Sequence, residues 1–136
     1  MYKIFVIFLM VCVSMAAGAV PAVVDYVVDG DTLAAHVNVA DGVQVPVRVR
    51  LINIDTPELN GDCEAEVNKA HRARMRMQQI LPRGTVIQLK NIKDDKYLGR
   101  IDANVVIDGD DVGDVMVREN LARKYSGGRR QSWCKK

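Results

Sequence analysis

Between residues 43 and 51 the chain reads Val-Gln-Val-Pro-Val-Arg-Val-Arg-Leu, with apolar and polar side chains in strict alternation. An extended strand puts Val43, Val45, Val47, Val49 and Leu51 on one face and Gln44, Pro46, Arg48 and Arg50 on the other, so one face is buried. Asp41-Gly42, just upstream, is a two-residue hairpin signal, and residues 32–39 supply the partner strand. The strand is expected to run on to residue 54, and residues 55–62, with Pro57 and Gly61, read as a loop.

Three more strands fit the same grammar: 23–28, ended by the turn signal Asp29-Gly30-Asp31, then 85–92 and 100–107, the last followed by Asp108-Gly109-Asp110. Residues 64–81 lack Gly and Pro and place Val67, Ala70, Ala73, Met77 and Ile80 at helical spacing before Pro82 and Gly84 end the run. Residues 114–120 predict a short second helix. A chain of 136 residues suits one domain. Three strands, a helix, two strands and a helix make an α+β, mainly β chain. The pattern is that of a five-stranded OB-fold barrel with a helix between strands 3 and 4 and a short C-terminal helix.

The first residues stand apart. Met1–Lys3 carries one positive charge, Ile4–Val13 is apolar, and Ala17-Gly18-Ala19 is an A-x-A cleavage site. The run is too short for a membrane span, and Gly18 and Pro21 argue against an uncleaved anchor. The expected organisation is a signal peptide at 1–19, a domain at 20–125 and a basic tail at 126–136. The protein is expected to be exported, to the periplasm or the medium, as a monomer with no stable membrane association after cleavage. Loss of Lys3 lowers the formal charge from +2 to +1, so any polyanion site must come from local clusters. Loss of Cys12 leaves Cys63 and Cys134, an even pair in an oxidising compartment: one disulfide tying the tail to residue 63, or two separate thiols. No Cys-x-x-Cys or Cys/His cluster suggests zinc.

Three short stretches carry chemistry: Asp29-Gly30-Asp31-Thr32, Arg50-Leu51-Ile52-Asn53-Ile54-Asp55-Thr56-Pro57-Glu58, and Asp95-Lys96-Tyr97-Leu98-Gly99-Arg100. Each alone reads as an ordinary turn or strand exit. Together they supply hard carboxylate oxygens of the kind calcium prefers and two guanidinium forks on neighbouring strands suited to phosphate. Carboxylates and arginines around one metal are what phosphodiester hydrolysis requires.

In order and spacing these stretches resemble the thermonuclease family, the staphylococcal-nuclease-like domain, over residues 23–125, and the tail is similar to that of exported bacterial members. The resemblance implies a calcium-dependent nuclease acting on DNA, RNA or both. It makes Asp31, Asp55 and the Thr56 carbonyl the Ca²⁺ ligands and Glu58 the general base or water-orienting group. Arg50 and Arg100 become the phosphate clamps, and Lys96 and Tyr97 the contacts to a terminal nucleotide phosphate. Leu98 is an extra residue relative to the family pattern, and the family's base-flanking aromatic pair is not evident, so base preference is not implied. The other function weighed is a non-catalytic OB-fold module binding single-stranded nucleic acid. Such a module has no use for the acidic trio Asp31, Asp55 and Glu58, which would repel phosphate without a metal.

Several features have plainer explanations. Asp108-x-Asp110 through Glu119 nearly fits an EF-hand loop, but Val112 removes the ligand at the fifth loop position, leaving an acidic hairpin turn. His36 and His71 read as surface residues. Lys69, Arg72, Arg74 and Arg76 read as a solvated helix face that could also attract nucleic acid. The tail basics are divided between polyanion contact and solubility. Trp133 is expected beside a Cys63–Cys134 bridge rather than stacked on a base.

Overall fold

β-Branched side chains favour the pleated strand, and the valines at 43–51 are used unevenly. Val49 and Leu51 are buried, whereas Val43 and Val45 near the hairpin tip stand in solvent. The computed structural model describes residues 18–135, so the expected signal peptide, apart from Gly18 and Ala19, lies outside the described residues. In chain order the elements are β1 (Val20–Val27), β2 (Thr32–Ala40), β3 (Val43–Leu51), β4 (Ile54–Asp55), α1 (Glu64–Ile80), β5 (Val86–Asp94), β6 (Arg100–Ile107), β7 (Asp110–Asp111), α2 (Val112–Arg118) and β8 (Arg123–Lys124).

The long strands pair in the order β3-β2-β1-β5-β6, all antiparallel, and β3 then pairs in parallel with β6 to close the ring. The result is a closed five-stranded mixed barrel of OB type, with α1 between its third and fourth strands. Inward residues of every strand fill it, among them Val24, Leu33, Val49, Ile87, Leu89 and Val105. Ala73, Met77 and Leu81 close it from the α1 side. The acidic first turn of α1, with Glu64 and Glu66, suits the positive end of the helix dipole.

The departures from expectation are local. β1 starts at Val20 rather than 23, because residues 20–23 pair with β5. The third strand stops at Leu51. Asn53 takes a left-handed φ of 65°, which Asn tolerates better than most residues, and the chain resumes as β4. Without this break Asp55 would continue the barrel wall; with it, Asp55 pairs with Arg123 of β8. α2 begins at Val112, two residues early, because Asp111 caps it by accepting the Asp114 N–H at 2.9 Å. Asp108 and Gly109, both at positive φ, form the hairpin turn into β7, as the plain reading of that acidic stretch predicts. Cys63 and Cys134 are joined in a disulfide, which brings the tail back across the barrel end.

Candidate cation and phosphate site

The site grows from two turns that meet at one end of the barrel. Val28 and Asp29 donate their N–H groups to the Thr32 carbonyl, and the Asp31 N–H returns to Asp29 Oδ1 at 3.1 Å. The Asp31 carbonyl accepts from Leu51 N at 2.8 Å, fixing this turn to the end of β3. A Cβ on Gly30 would lie 2.8 Å from Ala73 Cβ and 3.3 Å from Thr56 Cβ. Only glycine lets the turn, α1 and the Thr56 segment close on one another. Asp31, Thr32, Asp55 and Thr56 are buried at this junction, and the only other buried polar residue among those described is Glu66 of α1.

Burial is costly for a carboxylate. It is the main reason the Asp31 pKa is pushed up to about 6, with the neighbouring Asp29 carboxylate adding to it. Arg50, 3.7 Å away, and a 2.9 Å hydrogen bond from the Thr32 hydroxyl offset only part of this. Asp55 is compensated differently, by the tail. Arg130 Nε donates to Asp55 Oδ1 at 2.6 Å, and Nη2 reaches the same oxygen. Arg130 also donates to Glu58 Oε1 at 2.6 Å and to the Thr56 carbonyl at 3.2 Å. Trp133 Nε1 takes the remaining Asp55 oxygen at 3.1 Å. Burial disfavours the Arg130 charge, but the hydrogen bonds to Glu58 and Asp55 outweigh it and hold the proton more firmly than usual.

A second group of charges lies where β3 meets β6. Their parallel register sets Arg48 beside Arg100 and Arg50 beside Asp102, so these side chains share one face of the sheet. Arg100 Nε donates to Asp95 Oδ2 at 2.7 Å, and the Tyr97 ring centroid lies 4.5 Å from its guanidinium carbon. Burial of Asp95 works to raise its pKa, but the hydrogen bonds from Arg100 and the Tyr97 N–H prevail and hold it at about 2. Asp102 is pushed upward by burial and then by Asp95, against the pull of Arg50 and Arg100. Leu98 is fully exposed in the turn closed by the Arg100 N–H and the Tyr97 carbonyl. The extra residue is therefore accommodated in solvent. Lys96, 5.1 Å from the Tyr97 ring, and Tyr97 itself lie with Arg100.

The family described as staphylococcal nuclease homologue matches residues 48–135, from the end of β3 through the bridged tail. The chain belongs to this family. No curated protein matches it. The matched span of this nuclease domain takes in Arg50, Asp55, Thr56, Glu58, Arg100 and both bridged cysteines, while Asp31 lies just ahead of it. Membership brings a nucleic-acid-related function with it, on a barrel whose mouth carries both the acidic and the basic residues.

Several residues of the nuclease domain's mouth escape a reading of the sequence. The sequence leaves the tail basics open between solubility and polyanion contact, yet Arg130 is engaged within the protein. The signal was available: Cys63 follows Asp55 by eight positions and Arg130 precedes Cys134 by four, so the bridge brings Arg130 toward Asp55. Asp102, two residues beyond Arg100 on a strand, had to share its face. Trp133 does lie next to the bridge, and its ring is stacked by Arg123 at 3.5 Å. The basic face of α1 is only partly solvated, since Arg76 pairs with Glu119 at 2.9 Å. His71 is exposed, and His36 is half-buried against Asp25 at 2.8 Å.

Among the described residues no three or more His, Cys, Asp or Glu side chains gather as a metal cluster. The expected ligand set is smaller, two carboxylates and one main-chain carbonyl. Its fit to a cation can be judged from what these oxygens hold: Asp55, the Thr56 carbonyl and Glu58 converge on one positive group, the Arg130 guanidinium. Asp31 beside them is a buried carboxylate only partly balanced by Arg50. Hard oxygens with surplus negative charge suit a divalent ion such as Ca²⁺.

Proposed function

We propose that the protein is an exported, monomeric, calcium-dependent nuclease that hydrolyses phosphodiester bonds of DNA, RNA or both by in-line attack of water. The observation that carries this reading is the convergence of Asp55, the Thr56 carbonyl and Glu58 on a single cation, beside the Asp31–Arg50 pair and on the chain's nuclease domain. Asp31, Asp55 and the Thr56 carbonyl would hold Ca²⁺. When bound, the ion would neutralise charge on the phosphate oxygens.

Glu58, with half of its side chain in solvent, is accessible to the attacking water and would orient it or take its proton. Arg50 and Arg100, on neighbouring strands, would hold the phosphate through their planar forks and stabilise the charge that grows in the transition state. Asp95 and the Tyr97 ring preset Arg100 for this task. Lys96 and Tyr97 extend the basic wall toward a neighbouring phosphate. The N-terminal apolar run with its A-x-A site and the disulfide support an oxidising destination outside the cytoplasm.

The test is digestion of single- and double-stranded DNA and RNA with Ca²⁺ and with chelator, for the wild type and Glu58→Gln. Glu58→Gln keeps shape but loses the charge of a base, so turnover should fall by about 10²–10⁴-fold with substrate binding intact. Equal rates would remove Glu58 from the chemistry. Absence of Ca²⁺-dependent cleavage by the wild type would leave a single-strand binding module.

A further inference from the structure

We infer that Arg130 is a tethered cation that competes with the divalent ion for the same oxygens, so that metal loading requires this guanidinium to leave. The inference rests on the reading of Asp31, Asp55 and the Thr56 carbonyl as the ion's ligands. Two of these three groups are engaged by Arg130, which hydrogen-bonds both Asp55 Oδ1 and the Thr56 carbonyl. Its third arm reaches Glu58 Oε1, the oxygen that must face water in the reaction. An ion bound by Asp55 and Thr56 and a guanidinium bound by the same atoms compete: their positive charges repel, and both draw on the same oxygens.

The segment carrying Arg130 is clipped at both ends. The Tyr125 N–H donates to the Asn53 carbonyl at 2.9 Å, and Cys134 is bonded to Cys63. Between them Gly127 and Gly128, at φ of 102° and 83°, turn the chain, and the Tyr125 hydroxyl donates to the Gly128 carbonyl at 2.5 Å. Arg123 further braces the segment by donating to the Ser132 carbonyl at 3.0 Å while stacking on Trp133. A group held this way acts at a local concentration on the order of millimolar, because its ordering entropy is already spent. Departure has a destination. Glu66 lines the same cleft of about 770 Å³ as Arg130, and its buried Oε2 has no hydrogen-bond partner.

The sole tryptophan gives a readout independent of cleavage, since Trp133 Nε1 is bonded to the Asp55 oxygen that a bound ion would perturb. Oxidised full-length protein is titrated with Ca²⁺, following Trp133 emission and the heat of binding, for the wild type, Arg130→Gln, Arg130→Lys and a Cys63→Ser/Cys134→Ser pair. If the open form is a minor state of about 1–10%, Arg130→Gln should bind Ca²⁺ about 10- to 100-fold more tightly than wild type. Arg130→Lys, which keeps the charge but loses the fork, should fall between them and covers the case of a poorly folded glutamine variant. Releasing the tail through the serine pair should shift affinity the same way, and adding Arg130→Gln to it should give little more. Equal or weaker Ca²⁺ affinity in both Arg130 variants overturns the inference and leaves the metal-dependent reading standing. No Ca²⁺ binding by any form overturns both. Tighter binding by Arg130→Gln without nucleic-acid cleavage keeps the inference and removes the nuclease reading.

Discussion

The tripeptide Asp-Gly-Asp occurs twice in this chain, at 29–31 and at 108–110, and the two copies share nothing but their letters. In the first, Gly30 is buried in close contact with α1 and Thr56, and Asp31 is buried with its pKa raised. In the second, Gly109 has φ of 82° with open space where a side chain would be, and Asp110 is exposed. One copy is a packed junction that concentrates negative charge; the other is a hairpin turn whose charges are solvated. Chemistry at such a motif comes from what covers it. A carboxylate in water is already satisfied, whereas one enclosed by protein draws a cation from elsewhere.

The strongest way to break this comparison is to neutralise one carboxylate in each copy. Asp31→Asn should weaken Ca²⁺ binding by about 100-fold or more, since even groups that merely support a ligand are commonly worth 10–100-fold. Cleavage at limiting Ca²⁺ should fall in parallel, while Asp110→Asn should leave both within about twofold of wild type, as a solvated surface charge does. Ca²⁺ titrations followed by heat and by cleavage rate would compare them. Equal losses in the two variants would mean that burial does not separate the copies.

The glycines sharpen the comparison on stability. Gly30→Ala forces a methyl against Ala73 and Thr56, an overpacking expected to cost about 1–3 kcal/mol. Because the strain falls on Thr56, cleavage should drop as well. Gly109→Ala meets no neighbour and suffers only the left-handed backbone penalty, about 1–2 kcal/mol, with cleavage unchanged. Denaturant melts and initial rates measured on the same preparations would show stability and activity falling together at residue 30 and separately at residue 109.

Much of this was readable from one-dimensional pattern. The alternation at 43–51, the Asp41-Gly42 hairpin and the uninterrupted helix gave the barrel because each element is specified locally. Two features were not local. The Ile52 N–H still donates to the Ala103 carbonyl at 3.1 Å, the last rung between β3 and β6, and only then does Asn53 turn the chain toward β8; where that ladder ends is set by a strand about fifty residues away, which no spacing rule displays. The engagement of Arg130 with Asp55, 75 residues away, depends on the disulfide and on the tail's path, so charge counting along the tail could not reveal it. Asp95 and Asp102 were hidden for another reason. Spacing puts Asp102 on the face of Arg100, but that Arg50 joins them is visible only in the β3–β6 register, and that Asp95 joins them only in its hydrogen bond from Arg100.

The smallest expected effect lies in the first residue of each copy, and pH resolves it. Folded Asp31 titrates near 6, above the ordinary value of 3.8, so between these values the folded chain binds more protons than the unfolded chain. With metal chelated, this residue therefore makes folding more stable as pH falls from about 6 to about 4 and less stable as pH rises. Burial dominates that shift and Asp29 is the next cause. Asp29→Asn removes the like charge, while its amide oxygen can still accept the Asp31 N–H. Stability at neutral pH should then rise by about 0.5–1 kcal/mol, a fraction of the 1.36 kcal/mol that one pKa unit represents, and the slope between pH 4 and 6 should become shallower. Asp108→Asn, in a turn that accepts Asn readily, should stay within about 0.5 kcal/mol of wild type with the slope unchanged. Denaturant melts across pH 4–7 in chelator would compare the three proteins. An Asp29→Asn slope identical to wild type would leave burial alone responsible for the raised Asp31, and the crowding of carboxylates at the first copy would lose its part in drawing a cation to the site.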